Sequence, residues 1–288
     1  MGAALEIVTG YQSPGTTTAG TYTTFTANSG QSFSIRQANG TPAGSVLGPW
    51  ASFGAAGKLQ LKTPRWHDTT ICDTYHVQVT TGTLAVQPLL ELDDEEPAYS
   101  TDTLTVQSTT DSSQTATTNY ALAFPVYYPD LPGVDANLMT WAQVESYVNY
   151  ANKSGLHYIN FVSPQSAGTA GQIGTGVLIN ATNDQYKAGH TYALLGYTVS
   201  AQCTAVLIQG TDTGNLYVGG PGSLDSKVTR SWFVDLANEQ NLPLIPCIQA
   251  NNKGTTNVYI VDSATTSTTF IVSLYFLDLG VIGTPPGV

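Results

Sequence analysis

Charge is what this sequence has least of. Among 288 residues only 10% are Asp, Glu, Lys or Arg, against the roughly 25% of an ordinary globular domain. The deficit excludes a coiled coil and a charge-patterned disordered chain. Cations are scarcer than anions, nine against twenty, for a net charge of −11. They are also scattered along the chain, at Arg36, Lys58, Lys62, Arg65, Lys153, Lys187, Lys227, Arg230 and Lys253. Neutralising a nucleic-acid backbone needs concentrated cations, so direct sequence-specific nucleic-acid binding is not expected. Three cysteines, Cys72, Cys203 and Cys247, form an odd, widely spaced set without a CxxC. That argues against a disulfide scaffold and a zinc knuckle, and all three read as small buried apolar residues. No window approaches the roughly 20 apolar residues of a spanning helix, and the start lacks the cationic and apolar regions of a signal peptide.

What the chain has instead is hydroxyls, amides and turn formers. Hydrophobic residues make up 41%, enough for a full core, with 28 Gly and 15 Pro. Thr supplies about one residue in seven. With abundant Val and Tyr this is the composition of strands and turns, and an all-β protein is expected.

From 22 to 128 the pattern is short β-type runs cut by Gly, Ser, Asn and Pro: 22–26, 32–36, 58–62, 75–80, 83–92, 103–107 and 120–128. Several alternate in hydrophobicity as a half-buried strand must. Then the period changes. After Pro132-Gly133, Asp135 can cap a helix, and Leu138, Trp141, Val144, Val148 and Ala151 recur at helical spacing until Lys153-Ser154-Gly155. Strand patterns resume at 176–179, 190–200, 204–209, 216–218, 229–235, 243–249, 257–261 and 269–277. The two halves also close alike. Thr117-Thr118 and the run Val126 to Leu131 match Thr265-Thr266 and the run Leu274 to Leu279 without a gap, placing Tyr127 against Tyr275 and Asp130 against Asp278. The constant offset, 148 residues from 130 to 278, is about half the chain and points to a duplicated sandwich.

The expected architecture is therefore two tandem eight-stranded jelly-roll β-sandwiches joined by a helix-containing linker. The boundaries are an N-terminal arm 1–20, a first barrel 21–131, a helical linker 132–155, a second barrel 156–279 and a tail 280–288. Trp141, Tyr127 and Tyr275 are the expected structural anchors.

Two tandem sandwiches, a joining helix, scarce charge, and Thr/Gly/Ala/Asn/Gln-rich loops such as 40–57 and 163–176 resemble the double jelly-roll major capsid proteins of the tectivirus, corticovirus and adenovirus lineage. The resemblance covers approximately 21–279, rests on architecture and composition, and is closest in size to members from tail-less icosahedral bacteriophages or archaeal viruses. It implies homotrimers whose six barrels make a pseudo-hexagonal tile of an icosahedral shell. It also implies penton or minor capsid proteins and an internal viral membrane as partners, synthesis in a host cytoplasm, and residence in the virion. Composition agrees on one point: hydroxyls and amides can pair across a subunit contact without the cost of burying charge.

The same composition fits a carbohydrate- or receptor-binding module of a spike, tail fibre or adhesin, since exposed members of the 16 Tyr and 4 Trp could stack on sugars. Chemistry is sparse. There is no GxSxG elbow, HExxH, Walker loop or dinucleotide fingerprint, and of the four histidines only His67 adjoins a carboxylate, Asp68. No enzyme activity and no cofactor are expected. The strongest charge feature, Glu91, Asp93, Asp94, Glu95 and Glu96 ahead of Pro97, is the weak metal candidate, and calcium is the ion such carboxylates suit. A solvated loop or strand end is its other reading.

Overall fold

The structure is a computed structural model that describes residues 2–63, 65, 75–77, 86–88, 95–150, 157–222 and 229–282. The first half contains β1 (Gly2–Thr17), β2 (Thr23–Thr24), β3 (Thr26–Ala27), β4 (Gly44–Leu47), β5 (Trp50–Phe53), β6 (Gly57–Lys62), β7 (Tyr75–Val77), β8 (Val86–Pro88), β9 (Glu95–Ala98), β10 (Thr105–Thr110) and β11 (Gln114–Leu131). After β12 (Leu138–Met139) and helix α1 (Trp141–Tyr150) come β13 (His157–Val162), β14 (Val177–Leu178), β15 (Thr191–Val199), β16 (Cys203–Gln209) and β17 (Val218–Gly222). Helix α2 (Trp232–Gln240), β18 (Ile245–Gln249), a 3-10 turn (Ala250–Thr255), β19 (Asn257–Val261) and β20 (Val272–Gly280) complete the chain. The protein is all-β, with four antiparallel sheets.

Sheet order repeats between the halves. One sheet of the first half runs β3-β1-β11-β4-β9, with β5 also on β11 and β8 on β5, and its partner sheet runs β2-β10-β6-β7. In the second half the orders are β12-β18-β15-β20-β13 and β14-β19-β16-β17. Lettered B to I along each half, the strands give B-I-D-G in one sheet and C-H-E-F in the other, both times. This is the jelly-roll connectivity. The register repeats as well: Leu5 faces Tyr127 across β1 and β11, and Ile159 faces Tyr275 across β13 and β20.

Local sequence explains most strands. In β6, Leu59 and Leu61 point inward while Lys58, Gln60 and Lys62 stay half-buried, the alternation of a sheet with one wet face. Over 4–10 of β1 and 120–128 of β11 burial is continuous, because both faces are covered there. Ala4, Val8, Leu122, Phe124, Val126 and Tyr128 fill one core, whereas Leu5, Ile7, Ala123 and Tyr127 join the core built by the second half. A bidentate ion pair closes the first sandwich: Arg36 donates from Nε and Nη2 to buried Glu6, at 2.6 Å each.

Several expectations need correction. Residues 1–20, expected as an arm, supply β1, which lies between β3 and β11; Ala4 and Val8 on one face and Leu5 and Ile7 on the other both need cover. Segment 40–57, expected as a loop, contains β4 and β5. The run 32–36 makes only a bridge, Ser34 to Thr103. The expected strand at 229–235 is instead the start of α2, whose buried Trp232, Phe233, Leu236 and Ala237 follow a helical period. β13 was not anticipated within the second half.

The linker helix begins at Trp141 rather than Asp135, and its cap is Thr140. Thr140 Oγ1 accepts from the Gln143 N–H at 3.2 Å while Gln143 Oε1 accepts from the Thr140 N–H at 2.9 Å, a reciprocal capping box. Leu138, expected inside the helix, is instead in a strand pairing with Pro246. Val144 is fully buried, and Trp141, Tyr147 and Val148 pack half-buried against the second core. The stop at 153–155 lies outside the described residues. Thr140→Ala should cost about 1 kcal/mol, read as a lowered urea midpoint with faster amide exchange in the first turn of α1. An unchanged midpoint and unchanged exchange would show that packing alone holds that helix end.

Candidate functional site

The feature that sets the molecule apart is a sheet-on-sheet junction between its halves. The outer face of the β1-β11-β5 sheet lies against β16 and β17 of the second half. At its centre Trp50, on β5, donates from Nε1 to Thr204 O at 2.7 Å and meets Trp232 edge to face at 5.8 Å between ring centroids. Trp232 in turn donates to Gly219 O at 2.9 Å. Only glycine fits at Gly220, where a Cβ would lie 2.3 Å from Trp232 Nε1. Gly220 of β17 thus leaves room for the Trp232 indole.

Polar pins surround these rings. Thr204 Oγ1 donates to Ser52 Oγ at 3.0 Å, and the Ile7 N–H donates to Tyr217 O at 2.6 Å. Buried Asn28 satisfies both ends of its amide across the junction, donating to Gly171 O at 2.8 Å and accepting from the Ile173 N–H at 3.2 Å. Gly171 has φ +73°, and a Cβ there would lie 2.4 Å from Tyr11 Cβ. A side chain would force the halves apart. No charge takes part in these contacts. Every ion pair among the described residues, Arg36–Glu6, Arg65–Asp102, Lys187–Asp278, His190–Asp278 and Lys253–Asp184, joins residues of one half.

The anticipated anchors sit on either side of this junction. Tyr127 is buried within it, its pKa raised by burial. Tyr275, in the repeated position, is half-buried on an open face with the Arg230 guanidinium 4.9 Å from its ring. Trp141 packs half-buried against the same core, with α1's Tyr147 and Val148. The repeated aspartates have diverged. Asp130 accepts from Asn39 Nδ2 at 2.7 Å, and Asp278 accepts from His190 Nδ1 at 2.8 Å and from the Gly280 N–H at 2.8 Å. Burial acts to raise the Asp278 pKa, but these hydrogen bonds and the charge of Lys187 outweigh it and hold the group below the ordinary carboxylate value.

Of the acidic run, Glu91, Asp93 and Asp94 lie outside the described residues. Glu95 and Glu96 belong to β9, opposite Leu47 and Val46, and no group of three metal-ligating side chains forms among the described residues. Cys203 and Cys247 are free and buried, with thiol pKa values pushed far up by burial; Cys72, His67 and Asp68 lie outside the described residues. Buried Asp212 takes the Gln249 N–H and Asn252 Nδ2, each at 2.9 Å, and ties a loop rather than facing a cleft. Its pKa is raised by burial.

Sequence reasoning missed Trp50, Trp232, Asn28 and Thr204. The available signal was the apolar run in 120–128 and the run in 3–8, apolar but for Glu6, which mark strands buried on both faces and so ask what covers the second one.

No protein-family model matches the chain, and no curated protein sequence matches it. Two solved structures align over most of its length. One, described as the triple jelly roll fold and turret assembly in an archaeal virus, is 10% identical, with 96% of this chain and 79% of that chain covered and a TM-score of 0.21. The other, a crystal structure of the STIV MCP, is 10% identical over 95% of this chain and 96% of that one, with a TM-score of 0.22. Likenesses this low carry no argument about the present chain.

Two outcomes follow from the geometry. Trp50→Ala empties the centre of the junction and should cost about 3–5 kcal/mol in urea unfolding; a loss under about 1 kcal/mol would show that the halves are held elsewhere. Asp278 has a folded pKa below the unfolded value of about 3.9, so its stabilising contribution is complete above that range and is lost as pH falls through the folded pKa. Asp278→Asn should therefore flatten the acid limb of the stability curve between about pH 5 and pH 2. An acid limb of the same slope in the variant would assign that sensitivity to other carboxylates.

Proposed function

We propose that the chain is a structural shell protein, the major capsid protein of a tail-less icosahedral virus, whose activity is self-association and which has no turnover of its own. The observation that carries this reading is the repeated B-I-D-G and C-H-E-F topology packed sheet on sheet through an uncharged junction. A two-sandwich unit can tile a hexagonal lattice as a threefold assembly, because three copies present six sandwiches. The charge deficit fits the same use. Inside one chain, two sandwiches already meet, among the described residues, through indoles, hydroxyls, amides and glycine without an ion pair, and surfaces of that kind can be reused between chains without desolvating charge.

Under this reading the partners are further copies of the chain, other virion proteins such as penton or minor capsid proteins, and an internal viral membrane, with the virion as the place of residence. The sugar-binding alternative draws less support, because many of the described aromatic side chains are spent inside: Tyr120, Tyr128, Tyr192, Tyr197, Trp50 and Trp232 are all buried. Among the described residues, only Tyr22 and Phe161 of the aromatic side chains rank as exposed.

Obligate interfaces bury upwards of roughly 2,000 Å², and contacts poor in ion pairs respond weakly to salt. Sedimentation velocity should therefore show a trimer that persists from low to high salt, and electron micrographs should show hexagonal tiles or closed shells. A monomer at high micromolar concentration, or a trimer dissociated by added salt, would overturn the reading.

A further inference from the structure

The two halves treat the same four positions differently. The repeated register equates Leu5 with Ile159, Ile7 with Phe161 and Tyr127 with Tyr275, and the same offset equates Ala123 with Ile271. Every one of the eight residues is apolar or aromatic. In the first half they are 0%, 0%, 7% and 0% exposed, because β16 and β17 of the second half lie over them. In the second half Ile159 is 40% exposed, Phe161 45% and Ile271 54%, and Tyr275 is half-buried. Side chains directed outward from a sheet that had only to face water would be polar. Three exposed large apolar residues on one sheet face are the signature of a surface that is covered in use.

The geometry points to the outward face of the β13-β20-β15 sheet as the docking surface for the outward face of the β2-β10-β6-β7 sheet of a second copy of this chain. This inference rests on the self-association reading and names the surfaces that carry it. The occupant follows from the interface already formed within one chain. There the outer B-I-D-G face is covered by E and F strands of the following sandwich, and the corresponding strands of a first half are β6 and β7. The outward face of β6 carries Lys58, Gln60 and Lys62, whose aliphatic stems can lie on Ile159 and Ile271 while their heads reach water. A lysine ammonium above Phe161 or Tyr275 gains a cation–π contact, and Arg230 already makes one on Tyr275. The two mating faces differ and belong to different halves, so the contact is head to tail and propagates until a ring closes.

Two variants test this. Phe161→Glu places a carboxylate at the centre of the docking face and should raise the dissociation constant of the assembly by about 30-fold or more, with circular dichroism and melting temperature near wild type. In parallel, Ile159→Cys is combined in turn with Lys58→Cys, Gln60→Cys and Lys62→Cys in a Cys72→Ser background. At least one pair should form a disulfide between copies, giving covalent oligomers on a non-reducing gel, and Ile159→Cys alone should give none. If wild-type protein assembles and Phe161→Glu assembles equally well, the docking surface is wrong while the self-association reading stands. Should Phe161→Glu fail to fold, the cysteine pairs decide: no inter-copy disulfide in assembled protein, or cross-linking by Ile159→Cys alone, overturns the head-to-tail contact. A wild-type protein that stays monomeric throughout overturns both.

Discussion

Over 4–10 of β1 and 120–128 of β11 the sheet has no solvent face, and the rest of the molecule is arranged around that constraint. Ala4, Val8, Phe124 and Tyr128 commit one side to the first sandwich, while Leu5, Ile7 and Tyr127 commit the other to contact with the second. At about 25 cal/mol per Å² of apolar surface withheld from water, leaving that second side wet would forfeit several kcal/mol. The second half is therefore part of the stability of the first. It supplies a close cover: Gly220 of β17 leaves room for Trp232, which meets Trp50 edge to face.

Charge is handled by exclusion. Among the described residues each ion pair has both partners in the same half. Glu6 is the most deeply placed acid among them, and it is matched in bidentate fashion by Arg36, as a buried carboxylate must be. At the junction, specificity comes instead from hydrogen bonds with fixed donors and acceptors, such as both ends of the Asn28 amide and the Trp50 indole on Thr204. An unmade bond there leaves a buried polar group bare at a cost of about 1–3 kcal/mol, so the two halves have one register rather than several.

The repeat has been kept in topology and varied in chemistry. Asp130 and Asp278 end equivalent strands, yet one accepts from an asparagine and the other from a histidine and a glycine amide. Tyr127 and Tyr275 face equivalent partners across their sheets, yet one is sealed by the chain's own second half and the other lies under Arg230. Equivalent strands of the two halves therefore present unlike surfaces within one chain.

Composition and local periodicity by themselves determined the class of the fold and, at Trp141, Val144 and Val148, the apolar stripe of the linker helix, because those depend on residues within a few positions of one another; the constant offset pointed to a repeated unit. The alternation in 58–62 and the closing strands at Tyr127 and Tyr275 are legible for that reason. Tertiary structure alone decided that 2–17 is a central strand, that the segment around Trp50 is strand rather than loop, and that Trp232 begins a helix, since each depends on cover contributed from elsewhere in the chain. Thr204 lies 154 residues from Trp50, and Gly171 lies 143 from Asn28. No window along the sequence contains both members of such a pair. Which face of a sheet is inside is a property of what lies above it, and that is fixed only when the two halves close on each other.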